Sequence, residues 1–277
     1  MLDKTQMRAR VEQTVNIATI PQIVSKLRTM FEAPSMSAIA VGEEIAKDQV
    51  LAVKVLKLVN SGFYGFRTPI TTITQAMVLL GFDVVKTLVL SASVLDILEL
   101  MNQSLAGLWE HSLGTAKAAS AIAGRLNMAN PEEIAVAGLL HDLGKVIIAQ
   151  RFPQEHAQIR ETVTRRNCLQ IDAEREVLGV THLDVGMWLL KKWSLPPKLV
   201  YPIAFHNNFH PSRDFADRTA VVHLADILAR AKGVGYAGDN RIPAIDFGAW
   251  HLLHLSFDDI EDICLQLEGD TGSRMIA

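Results

Sequence analysis

His111, His141, Asp142, His182, His206 and Asp226 are six side chains of the types that hold metal ions, spread along residues 111–226. Their centre is the run Gly138-Leu139-Leu140-His141-Asp142-Leu143-Gly144-Lys145. Adjacent His and Asp put an imidazole and a carboxylate at one point of the backbone. Such a pair suits a hard or borderline cation, and the carboxylate has two oxygens with which to bridge two of them. Lys145 follows His141 by one helical turn, where it could face a bound anion. If the six converge, the chemistry is phosphate-ester hydrolysis. If they stay apart, the chain reads as a helical interaction module.

The elements that must gather them read as helices almost throughout. Ile23, Leu27, Met30 and Phe31 fall at helical spacing, as do Val50, Val53, Leu56 and Val59, a run stopped by Asn60-Ser61-Gly62. Thr72 to Leu80 is a short amphipathic piece closed by Gly81, and Phe82 to Met101 a long apolar one. A helix from about Ala106 to Asn127 carries His111 and is rich in Ala, which suits close packing. Asn130-Pro131-Glu132-Glu133 supplies a cap, a Pro at the first helical position and two acids against the dipole, and the helix it opens runs into His141. Thr181 with Asp184 makes a capping-box-like start beside His182. Pro196-Pro197 opens the helix leading to His206, and Asp217 to Lys232 carries Asp226. Gly233 to Asp246 is loop, and the tail after Glu268 reads as frayed. The fold class is all-α: a first helical lobe over residues 1–105 and a second over 106–277, packed together, the second holding all six ligands. Leu56, Val59, Leu79, Leu80 and Leu88 are the expected core of the first.

Composition narrows the classes. Apolar residues make up 49% of the 277, ample for a core of this size. The net charge of -3 gives no reason to expect nucleic acid or an anionic membrane as partner. Arg165-Arg166 and Lys191-Lys192 are too short for a binding stripe. Two cysteines, Cys168 and Cys264, stand far apart, which reads as ordinary thiols in a reducing compartment. The stretch Val84 to Leu100 is broken by Lys86, Asp96 and Glu99 and is a buried helix, not a membrane span. The polar start Met1 to Gln6 is no secretory signal. A cytoplasmic protein is expected. His156, His210, His223, His251 and His254 are read as surface or satisfied core residues. Asp226, within Val222-His223-Leu224-Ala225-Asp226-Ile227-Leu228, must be paired or metal-bound to justify its apolar neighbours.

The order His, His-Asp, Asp at 111, 141–142 and 226 resembles the HD superfamily of metal-dependent phosphohydrolases, and His182 and His206 match the two further histidines of its dinuclear members. The surrounding strings resemble one branch of it, the HDOD domain. They are Ile20-Pro21, Asp48-Gln49-Val50-Leu51, Asn60-Ser61-Gly62-Phe63-Tyr64-Gly65, Ile73 to Gly81, Trp109-Glu110-His111-Ser112 and Trp193-Ser194-Leu195-Pro196. The likeness runs from about Ile20 to Lys232. It implies a bacterial signalling or regulatory module with an HD-type helical bundle. It also implies a dinuclear divalent-metal site (Fe, Mn, Zn, Ni or Mg). Asp142 would bridge; His111, His141 and Asp226 would complete one ion, His182 and His206 the other. The implied partner is a signalling protein or a phosphate-ester ligand. If the site is catalytic, the metals acidify a water, Lys145 and Asp142 belong to the catalytic machinery, and Asn207 could donate to the same substrate. The sequence departs from HD-GYP phosphodiesterases: Asn207 stands where they have a second consecutive histidine, Gly107 offers no carboxylate, and Gly-Tyr-Pro is absent. Most HDOD domains have lost the HD ligands, and this chain keeps them. Phe63 and Tyr64 are expected either to lie over the open coordination position or to line a partner groove.

Overall fold

The structure, a computed structural model, describes residues 4–13, 37–47, 49–60, 66, 68–81, 84–85, 88–89, 105–192, 195–211 and 213–268. The expectations on Ile20 to Phe31, on Phe63-Tyr64, on Trp193-Ser194, on the tail after Glu268 and on most of Phe82 to Met101 fall outside these. Every regular element among the described residues is a helix, so the chain is all-α, as its periodicity predicts. No helix among them is long and apolar enough to cross a membrane. The chain divides into two compact units: residues 13–100, and residues 101–277 together with 1–12.

In the smaller unit, α2 (Ala38–Ala46), α3 (Gln49–Val59) and α4 (Ile73–Leu80) pack on one another. Side-chain caps start two of them: Ser37 Oγ accepts from the Ala40 N–H, and Thr72 Oγ1 from the Gln75 N–H. Asn60, the first residue of the Asn-Ser-Gly string, clamps the chain behind it. Its Nδ2 donates to the carbonyls of Leu56 (2.9 Å) and Ile70 (2.8 Å), and its Oδ1 accepts from the Ile70 N–H (2.7 Å). Val41, Ile45, Val55, Val59, Ile73, Met77 and Leu88 form the core. Leu79, expected there, is 53% exposed. Ile73, Ala76 and Met77 occupy the buried face of α4 at i, i+3 and i+4, and that register turns position 79 outward.

The larger unit begins with α1 (Lys4–Gln13), which buries Met7 and Val11. It continues through α5 (Leu108–Arg125), α6 (Pro131–Leu140), α7 (Leu143–Arg151), α8 (Pro153–Arg166), α9 (Gln170–Leu178), α10 (His182–Lys192), α11 (Pro197–Phe205), α12 (Ala216–Ala231), α13 (Phe247–Leu253) and α14 (Phe257–Glu268). Helices α5, α6 and α12 pack pairwise, α11 joins α6 and α12, and α7 lies on α10. Small residues allow this closeness. A Cβ on Gly138 would come within 3.0 Å of the Ala116 Cα, and one on Gly144 within 1.9 Å of the His182 carbonyl oxygen. Gly144 therefore lets the start of α7 touch the backbone of the first residue of α10, bringing His141-Asp142 up to His182.

The Asn130 cap differs from expectation. Asn130 makes no side-chain capping bond and takes a left-handed conformation (φ 54°), so its contribution is the αL turn that Asn tolerates. Glu133, beyond facing the dipole, takes Lys198 Nζ at 2.6 Å and Arg218 at 3.1 Å, tying α6 to α11 and α12. The start of α10 follows the capping-box reading, with Asp184 Oδ2 accepting from the Thr181 N–H (3.0 Å) and hydroxyl (3.2 Å).

Candidate metal centre

Each of the six residues sits where an element begins, ends or turns its buried face. His111 is in the first turn of α5. His141 closes α6 and Asp142 opens α7. His182 starts α10, His206 closes α11, and Asp226 lies mid-α12. The structure brings all six together, and each is at most 2% exposed. The nitrogen–nitrogen separation between His111 Nε2 and His141 Nε2 is 3.2 Å. His111 Nε2 lies 3.0 Å from Asp226 Oδ1 and 3.7 Å from Asp142 Oδ2. His141 Nε2 lies 3.3 Å from Asp142 Oδ2 and 3.7 Å from Asp226 Oδ1. Donors bound at about 2.1 Å stand about 3.0–3.4 Å apart around a six- or four-coordinate ion, and the His111–His141, His111–Asp226 and His141–Asp142 separations fall in that range.

On the other oxygen of this carboxylate, Asp142 Oδ1 is 3.5 Å from His182 Nε2. Asp142 Oδ1, His182 Nε2 and His206 Nε2 are all buried with no hydrogen-bond partner. Two groups have ligand atoms close enough for one ion: His111, His141 and Asp226; and His141, Asp142 and His206. His206 thus groups with His141 and Asp142, and His182 reaches the cluster through Asp142.

Three of the imidazoles are oriented from behind. His141 Nδ1 donates to the Gly138 carbonyl at 2.7 Å, and His206 Nδ1 to the Ile203 carbonyl at 2.9 Å. Glu174 Oε2 takes both the His182 Nδ1 (2.7 Å) and the His182 backbone N–H (2.8 Å). Carbonyl oxygens only accept and the carboxylate has no proton to give, so Nδ1 holds the proton and Nε2 faces the cluster. Buried lone pairs converging without donors are what a cation satisfies, and the nitrogen–oxygen set with no thiolate suits a divalent one.

The charge balance points the same way. Burial alone would raise the Asp142 carboxyl and the Asp226 carboxyl. Cationic neighbours outweigh it, chiefly His141 and Lys145 for the first and Arg230 for the second, and hold both well below the ordinary range. Burial would likewise lower His141, but Asp142 and Asp226 outweigh it and push its pKa up to about 9. His206 is held well below its ordinary value by burial, then by the charge on His141. Burial also lowers His111. The two carboxylates thus draw positive charge onto one imidazole of the set.

Lys145 is itself buried, and its Nζ donates to Asp142 Oδ2 (2.7 Å) and to the Ala237 carbonyl (2.8 Å). It is the counter-ion of the Asp142 carboxylate. Asn207 follows His206 and is half-buried. Three supporting residues escaped the sequence reading. Glu174 orients His182. Arg230 Nε donates to Asp226 Oδ1 at 2.9 Å, one turn along the same helix, a spacing that the sequence does display. Asp239 accepts from Arg230 (3.2 Å) and from the Gln170 N–H (2.9 Å). His223, read as a satisfied core residue, is one: its Nδ1 donates to the His206 carbonyl at 2.7 Å.

The HDOD domain family matches residues 17–209, most of the chain, and the chain belongs to that family. Its structure is similar to that of an HDOD domain protein of unknown function from Geobacter sulfurreducens. That chain is 27% identical with a TM-score of 0.73, and the likeness covers 97% of this chain and 96% of that one. It is also similar in fold to a chain from Marinobacter aquaeolei VT8 provisionally named a signal transduction protein. There the identity is 20% and the TM-score 0.71, over 94% of this chain and 58% of the other. An uncharacterized protein of Treponema pallidum (strain Nichols) is 25% identical over 237 residues, 82% of this chain. The chain spans 45% of the length of that curated relative.

Proposed function

We propose that this chain is a bacterial, cytoplasmic HDOD regulatory protein whose His/Asp centre holds two divalent ions in a closed site. One observation carries this reading: Asp142 Oδ1, His182 Nε2 and His206 Nε2 are buried and unpaired beside the grouped donors of His111, His141 and Asp226, with all six residues at most 2% exposed. A catalytic metal keeps a coordination position open to substrate, whereas a structural or sensory one is enclosed by protein. The enclosure supports regulation. The first ion would be held by His111, His141, Asp142 and Asp226, the second by Asp142, His182 and His206. Fe, Mn, Zn, Ni and Mg all suit such ligands. The partner is a signalling protein that reads the helical surface.

The intact donor set favours a second reading, a metal-dependent phosphohydrolase acting on a nucleotide or other phosphate ester. The ions would then supply an acidified water and charge neutralisation. Lys145 would hold Asp142 ionised and oriented, and Asn207 would donate to substrate. A panel of phosphate monoesters and diesters, assayed on Mn- and Fe-loaded protein, separates the two. Turnover at background is expected. Robust turnover abolished by His141→Ala would overturn the regulatory reading.

Metal affinity should also depend on pH in a stated sense. With its pKa raised to about 9, His141 is protonated at neutral pH, and a cation must displace that proton. Affinity should rise with pH up to about 9, by as much as about tenfold per unit from this group, and then level off. Competition against a chromophoric chelator between pH 6 and 9.5 measures it. A flat profile would show that no proton leaves His141 when the metal binds.

A further inference from the structure

Lys145 also lines a cleft that the metal reading does not use. Lys145, His156, Arg160 and Tyr236 line it, with Leu105 and Leu108 as apolar wall. Its volume is about 310 Å³, open mouth included. The enclosed part has room for about one water. None of the six metal ligands lines it, and none of its described lining residues is acidic.

Four of its polar side chains, Lys145, His156, Arg160 and Tyr236, are able to donate; Gln170 Nε2 is spent on Glu174, and the Ala237 carbonyl is taken by Lys145. An ammonium has three N–H donors; Lys145 gives two, to Asp142 and Ala237, and the third is left for the cleft. His156 is 6% exposed, yet its ring has no hydrogen-bond partner among the described residues. A buried imidazole without a partner calls for one. Arg160 is exposed at the mouth, and its guanidinium pairs with no described carboxylate. Tyr236 is 43% exposed, with its hydroxyl likewise without a described partner. The exposed Arg160 guanidinium, the remaining N–H of Lys145 (whose charge Asp142 balances), an unpartnered imidazole and a phenol, with no acid among the described lining residues, make a donor-rich cleft that suits an anion.

Gly235 and Gly238 keep this wall in place. The Tyr236 N–H donates to the Gly107 carbonyl at 2.8 Å. A Cβ on Gly235, whose φ is +65°, would fall 2.2 Å from the His111 nitrogen. The loop therefore lies flat on the start of α5 and carries Tyr236 and the Ala237 carbonyl to Lys145.

We propose that this cleft binds a phosphoryl group, as a free phosphate or the terminal group of a small organic monoester, through Lys145, His156, Arg160 and Tyr236. One oxygen enters the enclosed part, and the rest of the group sits in the mouth lined by Arg160 and Tyr236. An occupant shares Lys145 with Asp142, which sets it beside the metal centre without touching a metal ligand.

Titration calorimetry of the full chain with inorganic phosphate, and in parallel with phenyl phosphate, tests this. Each titration is run before and after chelator treatment. Saturable binding is expected in both states, weakened about tenfold or more by Arg160→Ala and measurably by Tyr236→Phe. Both variants alter side chains at the mouth, and circular dichroism confirms that they fold. Tighter binding of phenyl phosphate supports an organic phosphate seated on Leu105 and Leu108; tighter binding of inorganic phosphate supports the free anion. Equal binding by wild type and Arg160→Ala overturns the proposal. So does binding that vanishes with the chelator and ignores Arg160, since the phosphate would then sit on the metals. That last result would leave the metal reading standing, and absent metal with Arg160-dependent phosphate binding would do the reverse.

Discussion

Asp142→Ala is expected to strip the centre of all metal, where the proposed wild-type site would hold two ions. Both oxygens of this carboxylate are committed. Oδ2 lies 3.3 Å from His141 Nε2 and 3.7 Å from His111 Nε2, while Oδ1 is 3.5 Å from His182 Nε2 and has no other partner. Losing it removes a donor from each position together with a full negative charge. It also leaves Lys145 buried without its counter-ion, a loss of the kind that costs about 3–5 kcal/mol. Asp142→Asn keeps the volume and an acceptor for Lys145, and so separates metal loss from unfolding. His182→Ala is the contrast: it should spare the ion held by His111, His141 and Asp226. Elemental analysis after loading and desalting reads all three variants. If Asp142→Ala and wild type retain equal metal, the ligand assignment is wrong.

Glu174→Gln is expected to weaken the position that His182 serves by about 10–100-fold, the range typical of a carboxylate behind a ligating histidine. Glu174 is fully buried, and its Oε2 takes the two His182 donors while Oε1 takes Gln170 Nε2 at 2.8 Å. Burial works against its ionised form, but His182 and then Lys145 hold its pKa below the ordinary value, so it faces the imidazole as a carboxylate. Gln keeps the size and removes the charge that makes His182 a stronger donor to metal. The ion at His111, His141 and Asp226 should keep its affinity. Stepwise chelator competition would show one weakened and one unchanged binding event. Two unchanged events would reduce Glu174 to a packing role.

Much of this centre was legible along the chain because local chemistry writes it there. The His141-Asp142 pair, Gly144 and Lys145 are contiguous. Thr72, Gly81, Thr181 with Asp184, and Pro197 mark helix ends by capping chemistry that acts within one turn. The Ala-rich stretch of α5 and the apolar run around Asp226 announced close packing and a buried acid. The expected ends of α5, α6 and α12 fall within a few residues of those observed.

The misses have a common cause. Leu79 looked like core because a Leu-Leu pair cannot show which of its members the helix register turns inward. Glu174 sits in Ala173-Glu174-Arg175-Glu176, which reads as a solvated helix face until α9 is laid against the start of α10. Asp239 and the Ala237 carbonyl belong to a loop with no periodicity, and their partners Gln170, Arg230 and Lys145 are brought to them only by folding. Asn130 kept its place at a helix start but acts through its backbone angle, not its side chain.

By itself the sequence determined the helical class, the ends of α5, α6 and α12 to within a few residues, and the identities of the six convergent residues. Those depend on periodicity, caps and side-chain chemistry, which act over a turn or two. Only the tertiary structure decided that the six share one buried point. It also decided which oxygen of Asp142 meets which imidazole, that Lys145 is held by Asp142 and Ala237, and that Lys145 also lines a cleft with His156, Arg160 and Tyr236. Each of these depends on distances between residues far apart in the chain, and packing between helices sets them.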